Sequence, residues 1–273
     1  MLLKKTLFKL FDLPFLAMKE VIKEMGFREV LAFSLISPRC KKIIQTCRLK
    51  LSRVEYNVPG YRTEINVIDW NLGESWIKVL TPDFTETEDV EPNYCDLFSN
   101  RFFVFWRDDL TKLINLISSL YQPFECGIEG NPEIIMKRLP LIENVKYTCL
   151  YGVNDAEVID KFFDTYPNQK STRIARTIEG NLKPDSKFYE VGEMELDNSR
   201  FVTTTFLRNF KGHHLMIKNS KCYDSTIIRF IRKWISGEDH LNIGAVLILN
   251  KFMEFNTENI MVEFETMKLR RFL

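Results

Sequence analysis

Residues 11–47 read FDLPFLAMKEVIKEMGFREVLAFSLISPRCKKIIQTC. Asp12-Leu13-Pro14 predicts a helix start, because proline is tolerated in a first turn, where its missing N–H would have no partner. Leu16, Val21, Ile22 and Met25 follow at helix-like spacing, and Gly26 ends the run. Arg28 to Ser37 is a second, strongly apolar segment with Val30, Leu31, Phe33, Leu35 and Ile36. Ser37-Pro38 starts a third helix carrying Cys40, Ile43, Ile44 and Cys47. Three short helices totalling about forty residues hold too little mass to close a core of their own. A trio this oily predicts an apolar surface that something else completes.

Outward from this stretch the pattern changes. Between Leu49 and Leu80 the residues favour strands: Val54 to Tyr56, Thr63 to Ile68 and Trp76 to Leu80, with turns at Pro59-Gly60 and Asn71-Leu72-Gly73. Residues 81–96 carry six acids (Asp83, Glu86, Glu88, Asp89, Glu91, Asp96), no base and two prolines, and read as an exposed acidic loop. Residues 1–50 carry the opposite sign, eight lysines and three arginines against four acids, with a basic cluster at Arg39, Lys41 and Lys42. Trp70 and Trp76 flank a turn and would anchor a partner if exposed, since tryptophan is enriched among binding hot spots.

From Asp108-Asp109, read as a helix cap, strands and helices alternate. One apolar anchor per predicted strand gives Ile128, Cys149, Ile174, Leu196, Ile217 and Ile243, at gaps of 21, 25, 22, 21 and 26 residues. That spacing is leucine-rich-repeat-like: one strand plus a returning helix cannot bury its apolar face alone, so neighbouring units stack. An ordinary α/β domain with elements of similar length fits the same spacing, and no LxxLxLxxN consensus is present. The fold class expected is α+β or α/β, a three-helix segment followed by an array of strand–helix units. The expected divisions are 8–50 (helical), 51–107 (β-rich connection with the acidic loop) and 108–273 (repeat-like α/β).

Composition narrows the function. The 273 residues carry 38 basic and 37 acidic side chains, a net charge of +1, so a general nucleic-acid binder, which needs a basic surplus, is not expected. Lys9 and Asp12 interrupt the first apolar stretch, which therefore does not read as a secretory leader, and no run approaches the ~18 residues that span a bilayer. The six cysteines (Cys40, Cys47, Cys95, Cys126, Cys149, Cys222) form no CxxC pair and read as reduced thiols of a cytoplasmic or nuclear protein. No phosphate cradle, dinucleotide loop or nucleophile elbow occurs. His213-His214 would point to opposite faces of a strand and make a poor metal pair. No cofactor, metal or catalytic residue is expected. Phe162, Phe163, Phe201, Phe206 and Phe210 read as core aromatics.

Leu13-Pro14 with a short helix, the apolar-plus-serine run Glu29 to Ser37, and the basic helix Arg39 to Ile44 together resemble an F-box; the family's usual third-helix tryptophan is absent. Beyond it, Asn144-Val145-Lys146-Tyr147, Leu196-Asp197-Asn198 and His214 to Lys218 resemble the type 2 F-box-associated domain typical of large nematode F-box families. The resemblance implies a substrate-recognition adaptor of an SCF-type (cullin-RING) ubiquitin ligase, with no catalysis of its own. The F-box would bind the Skp adaptor, and through it a cullin, with Leu13, Pro14, Leu16, Val21, Leu31, Ser34 and Leu35 as contact positions, some of them internal to the F-box. The C-terminal domain would hold an unknown substrate protein. If that domain is a curved array, its sheet face is the natural surface, with Lys146, Arg173, Arg176, Glu195 and Lys218 as candidates. Two alternatives stay open: a non-enzymatic interaction scaffold without a ubiquitin role, and an enzyme with an unrecognised α/β site.

Overall fold

The computed structural model describes residues 10–59, 62–69, 73–80, 105–106, 110–122, 124–152, 154–220, 222–237, 242–249, 256, 258 and 260–262. The acidic stretch, Trp70, Cys95 and Asp108-Asp109 lie outside the described residues, as does the side chain of Trp76. The protein is mixed helix and strand, with N-terminal helices followed by a mostly parallel sheet. Its contacts divide into two compact units, residues 1–55 with 62–125 and residues 56–61 with 126–273.

The first unit begins with a 3-10 turn, Leu10–Asp12, then α1 (Phe15–Lys23), α2 (Phe27–Ile36) and α3 (Pro38–Cys47). Pro14 sits one residue ahead of α1, as its N-cap, and the Pro14 carbonyl accepts from the Met18 N–H. α1 ends at Lys23 with Glu24 as its C-cap, ahead of the expected stop at Gly26, and Gly26 is instead the N-cap of α2, with extended backbone. Ser37 caps α3 as its side chain accepts from the Cys40 N–H, and Pro38 occupies the first helical position, where no N–H is needed. Arg48 closes α3 in the left-handed conformation, φ 52°, a place more often held by glycine.

Met18, Ile22, Val30, Leu31, Cys40, Ile44 and Cys47 form the interior of the trio. It is not closed by the trio alone. The helix α4 (Leu110–Leu120), which the sequence reading assigned to the repeat array, belongs to this unit and brings Leu113, Ile114, Ile117 and Leu120 to the core. Phe27 stacks on Tyr121 at 5.8 Å between ring centroids, and the Gln122 N–H donates to the Leu49 carbonyl at 2.8 Å. The unit also contains the first half of β1 (Arg53–Val58), then β2 (Arg62–Asp69), antiparallel to β3 (Gly73–Leu80), which pairs in parallel with β4 (Phe105–Trp106).

The second unit is built on parallel strands: β5 (Glu125–Gly130), β6 (Val145–Leu150), β8 (Ser171–Ile174), β10 (Glu193–Leu196), β11 (His214–Lys218) and β12 (Ala245–Leu249). They lie side by side in chain order, with residues 56–58 of β1 next to β5. Two very short strands, β7 (Asn154–Asp155) and β9 (Ile178–Glu179), pair apart from this sheet. The returning elements are α5 (Pro132–Arg138), α6 (Ala156–Thr165), a 3-10 turn at Lys187–Glu190, α7 (Thr204–Asn209) and α8 (Asp224–Ser236). Asn131 caps α5 through the Glu133 and Ile134 N–H groups. Asp155 caps α6, its side chain accepting from the Glu157 N–H at 2.7 Å.

The strands alternate with a period of two. Leu150, Ile174, Leu196 and Ile217 share one register column and are fully buried. Of the sequence anchors, Ile174, Leu196 and Ile217 fall in that column. Cys149 lies opposite Arg173, on the other face, and Ile248 rather than Ile243 lies opposite Ile217. A one-residue offset changes the face of a strand, so apolar identity alone does not fix register. The helices supply the other half of this core. Phe162, Phe163, Tyr166, Phe188, Tyr189, Phe201 and Phe206 form a chain of ring contacts with centroids 4.9 to 6.2 Å apart.

The start of each late strand rests on the start of the one before it. The Glu193 N–H donates to the Lys170 carbonyl, the His214 N–H to Gly192 and the Ala245 N–H to His213. This stacking demands bare backbone. A Cβ on Gly212 would land on the Val191 carbonyl oxygen and against the Phe210 ring and the Gly192 carbonyl. Gly212→Ala should therefore destabilise the protein by about 1–3 kcal/mol, the usual cost of forcing atoms into a filled site. Urea unfolding checks this, with a lower midpoint expected at an unchanged slope.

Candidate functional site

The helix α2 carries apolar side chains all round. Phe27, Val30 and Leu31 point inward, with Ser34 beside them, its hydroxyl donating to the Leu31 carbonyl at 2.6 Å. Leu35 and Ile36 point outward and are 55% and 72% exposed. A helix hydrophobic on every side belongs in an interior, and this unit covers only one side of it. The start of α1 repeats the pattern, with Phe15 50% and Leu16 75% exposed. Phe11 is also exposed, held by the Phe33 ring at 6.0 Å and by the Arg39 guanidinium 5.0 Å from its centroid.

The expected adaptor contacts thus fall into three groups. Pro14, Leu16 and Leu35 are exposed; Leu13 and Val21 are half-buried; Leu31 and Ser34 face the unit's own core. The structure adds Phe11, Phe15 and Ile36 to the exposed apolar set. Their signal in the sequence is the excess of apolar residues over what one helix face can hold.

In the second unit the sheet face opposite the buried column meets solvent. Each of its rows runs across the strands. One contains Cys149, Arg173, Glu195, Met216 and Leu247, and another Tyr147, Ser171, Glu193, His214 and Ala245. Arg173, Glu195 and Lys218, three of the expected substrate contacts, meet there. The residue that joins them is Asp197, just past the end of β10. It accepts from Arg173 Nη2 at 2.6 Å and from Lys218 Nζ at 3.0 Å, while Lys218 also pairs with Glu195. Sequence reasoning missed Asp197, although Glu193, Glu195 and Asp197 stand at the two-residue spacing that puts all three on one face. Lys146 lies apart, donating to the Asn168 carbonyl, and Arg176 is exposed in the loop after β8.

Electrostatics ties this cluster together. Burial opposes ionisation of Asp197, yet hydrogen bonds from Lys218 and Arg173 outweigh it and hold its carboxyl below the ordinary aspartate value. The same bonds raise Lys218, chiefly through Glu195, and Arg173, chiefly through Asp197. The cluster is an internally neutralised ladder across three strands. Beside it, a hollow of about 300 Å³ is lined by Ser171, Glu193, Glu195, His214, Met216 and Leu247 among others. It is open to solvent, with charged and apolar side chains around it.

Burial pushes the Cys126 thiol up to about 12 and raises Cys149 and Cys222, which keeps them protonated and poor nucleophiles at neutral pH. Among the described residues, no group of three His, Cys, Asp or Glu side chains could hold a metal ion.

Comparison with protein families places an F-box domain at residues 10–52, the stretch that carries the 3-10 turn and α1 to α3. F-box domains bind the Skp adaptor in SCF complexes, which implies a link to a cullin, and proteins that carry them are typically adaptors rather than enzymes. No curated protein and no solved structure matches the chain at the significance required.

Asp197 has a lower pKa folded than unfolded, so its stabilisation is present above the unfolded value and is lost as pH falls through the folded one. Asp197→Asn should cost about 1 kcal/mol at pH 7, in keeping with a partly exposed ion pair. That difference should shrink below about pH 4, the ordinary aspartate range. Denaturation of both proteins at pH 7 and pH 3 measures it.

Proposed function

We propose that this chain is the substrate-recognition adaptor of an SCF-type ubiquitin ligase. The observation that carries the reading is the exposed apolar set Phe11, Phe15, Leu16, Leu35 and Ile36 on a domain whose own core is already filled. Covering such side chains is worth about 1.5–3 kcal/mol each, and a few of them suffice for a stable interface. On this reading Leu13, Pro14, Leu16, Val21 and Leu35 meet the Skp adaptor. Leu31 and Ser34 act from beneath by fixing the shape of α2.

The second unit is the substrate receptor. It is read as a leucine-rich-repeat-like array of the type 2 F-box-associated kind. Its support is the set of parallel strands in chain order, with one face buried and the other facing solvent. The substrate protein lies on that open face, against Arg173, Glu195, Asp197 and Lys218, with Lys146 and Arg176 as outlying contacts. The adaptor contributes proximity alone: a substrate lysine held near a charged ubiquitin carrier reacts as if intramolecular, and the partner enzymes supply the chemistry. The work would take place in the cytoplasm or nucleus.

Co-purification of the full chain with the Skp adaptor tests the reading. The wild type should bind. Leu16→Asp and Leu35→Asp should each weaken binding more than tenfold while the thermal midpoint holds, because both side chains are exposed. Leu31→Asp should unfold the domain instead. A folded wild type that does not bind the Skp adaptor overturns the proposal.

A further inference from the structure

A second hollow in the C-terminal unit, of about 160 Å³, opens between α7 and α8. Thr204, Thr205 and Arg208 line it from α7, and Arg229 and Lys233 line it from α8. The spacings explain the convergence. Thr204 and Arg208 are four apart on one helix, as are Arg229 and Lys233 on the other, so each pair shares a face. The floor is apolar and buried, made by Leu207 and Phe230. No acidic side chain lines the hollow. Among the described residues Arg208 and Arg229 form no ion pair, and the Thr204 and Thr205 hydroxyls form no hydrogen bond.

Arg208 and Arg229 carry like charges on one small cleft and repel each other. Arg173, Lys218, Lys187 and Lys211 of the same unit, by contrast, meet carboxylates. We propose that the α7–α8 cleft is a binding site for a phosphate monoester. Two guanidinium forks and an ammonium can address a tetrahedral group with three outer oxygens, which a two-oxygen carboxylate would not fill. The threonine hydroxyls add neutral donors at the rim. The volume admits one phosphoryl group and a short stem, and is too small for a nucleotide. A net charge of +1 for the whole chain argues against a polyanion such as nucleic acid. The ligand is therefore a single phosphorylated group, carried by a small molecule or by a protein side chain.

This inference stands apart from the ligase reading, since it uses neither the F-box face nor the sheet face. The test uses the full chain and calorimetric titration with phenyl phosphate, a phosphoserine peptide, its unphosphorylated counterpart and a peptide carrying glutamate at that position. Saturable binding of the phosphate monoesters is expected, at least tenfold tighter than either unphosphorylated peptide. Tighter binding of the phosphopeptide than of phenyl phosphate assigns the site to a protein side chain, and the converse to a small molecule. Arg208→Gln and Arg229→Gln should each weaken binding about tenfold, and the double variant further, with the thermal midpoint unchanged or raised. Arg208→Lys, which keeps the charge but loses the fork, should fall between wild type and Arg208→Gln. Absence of saturable binding, equal binding of the glutamate peptide, or affinity unchanged by both glutamine variants would overturn the assignment.

Discussion

A helix that is apolar on all sides needs cover on all sides, and α2 has it on one. Its inward residues Phe27, Val30 and Leu31 are buried, α2 packs against α3, and Phe27 stacks on Tyr121, which fixes the helix in place. Once it is fixed, Leu35 and Ile36 have nowhere to go but outward. The cost of leaving them in water is borne by the rest of the core. Such an arrangement is stable as a folded domain and unsatisfied as a surface, which is the physical condition for a dedicated partner site.

The parallel sheet follows a related logic in its own unit. Each strand has two faces, and the apolar residues of the returning helices serve one of them. The other face must then be made tolerable to water without losing its shape. The ladder of Arg173, Glu195, Asp197 and Lys218 does this by pairing charges across strands, which leaves the surface nearly neutral and polar there. Toward β12 the same face turns apolar, with Met216, Leu247 and Leu249.

Much of this was legible in the residues. Ser37-Pro38 and Asn131-Pro132 announce helix starts because the cap and the missing N–H act within three residues of each other. The oily excess of residues 27–36 announces an unsatisfied surface for a similar reason: no arrangement of one short helix buries both of its sides. Register was less legible. Cys149 looked like an anchor, but pairing puts it on the other face, and Ile243 is buried ahead of β12, outside the paired strand. The role of α4 was hidden as well, since an amphipathic helix shows that it buries a stripe and not which neighbour receives it.

The sequence by itself determined the local matters: the three N-terminal helices, the alternation of strands and helices after them, and that residues 11–47 carry more apolar surface than they can hide. These depend on backbone preferences and periodicity, which act over a few residues. Only the tertiary structure decided that Leu31 and Ser34 face inward while Leu16 and Leu35 face out, that Asp197 joins Arg173 to Lys218, and that Arg208 and Arg229 look into one cleft. Those outcomes depend on which distant segments come to lie side by side, and the free energy of that choice is summed over the whole core rather than written in any one stretch of chain.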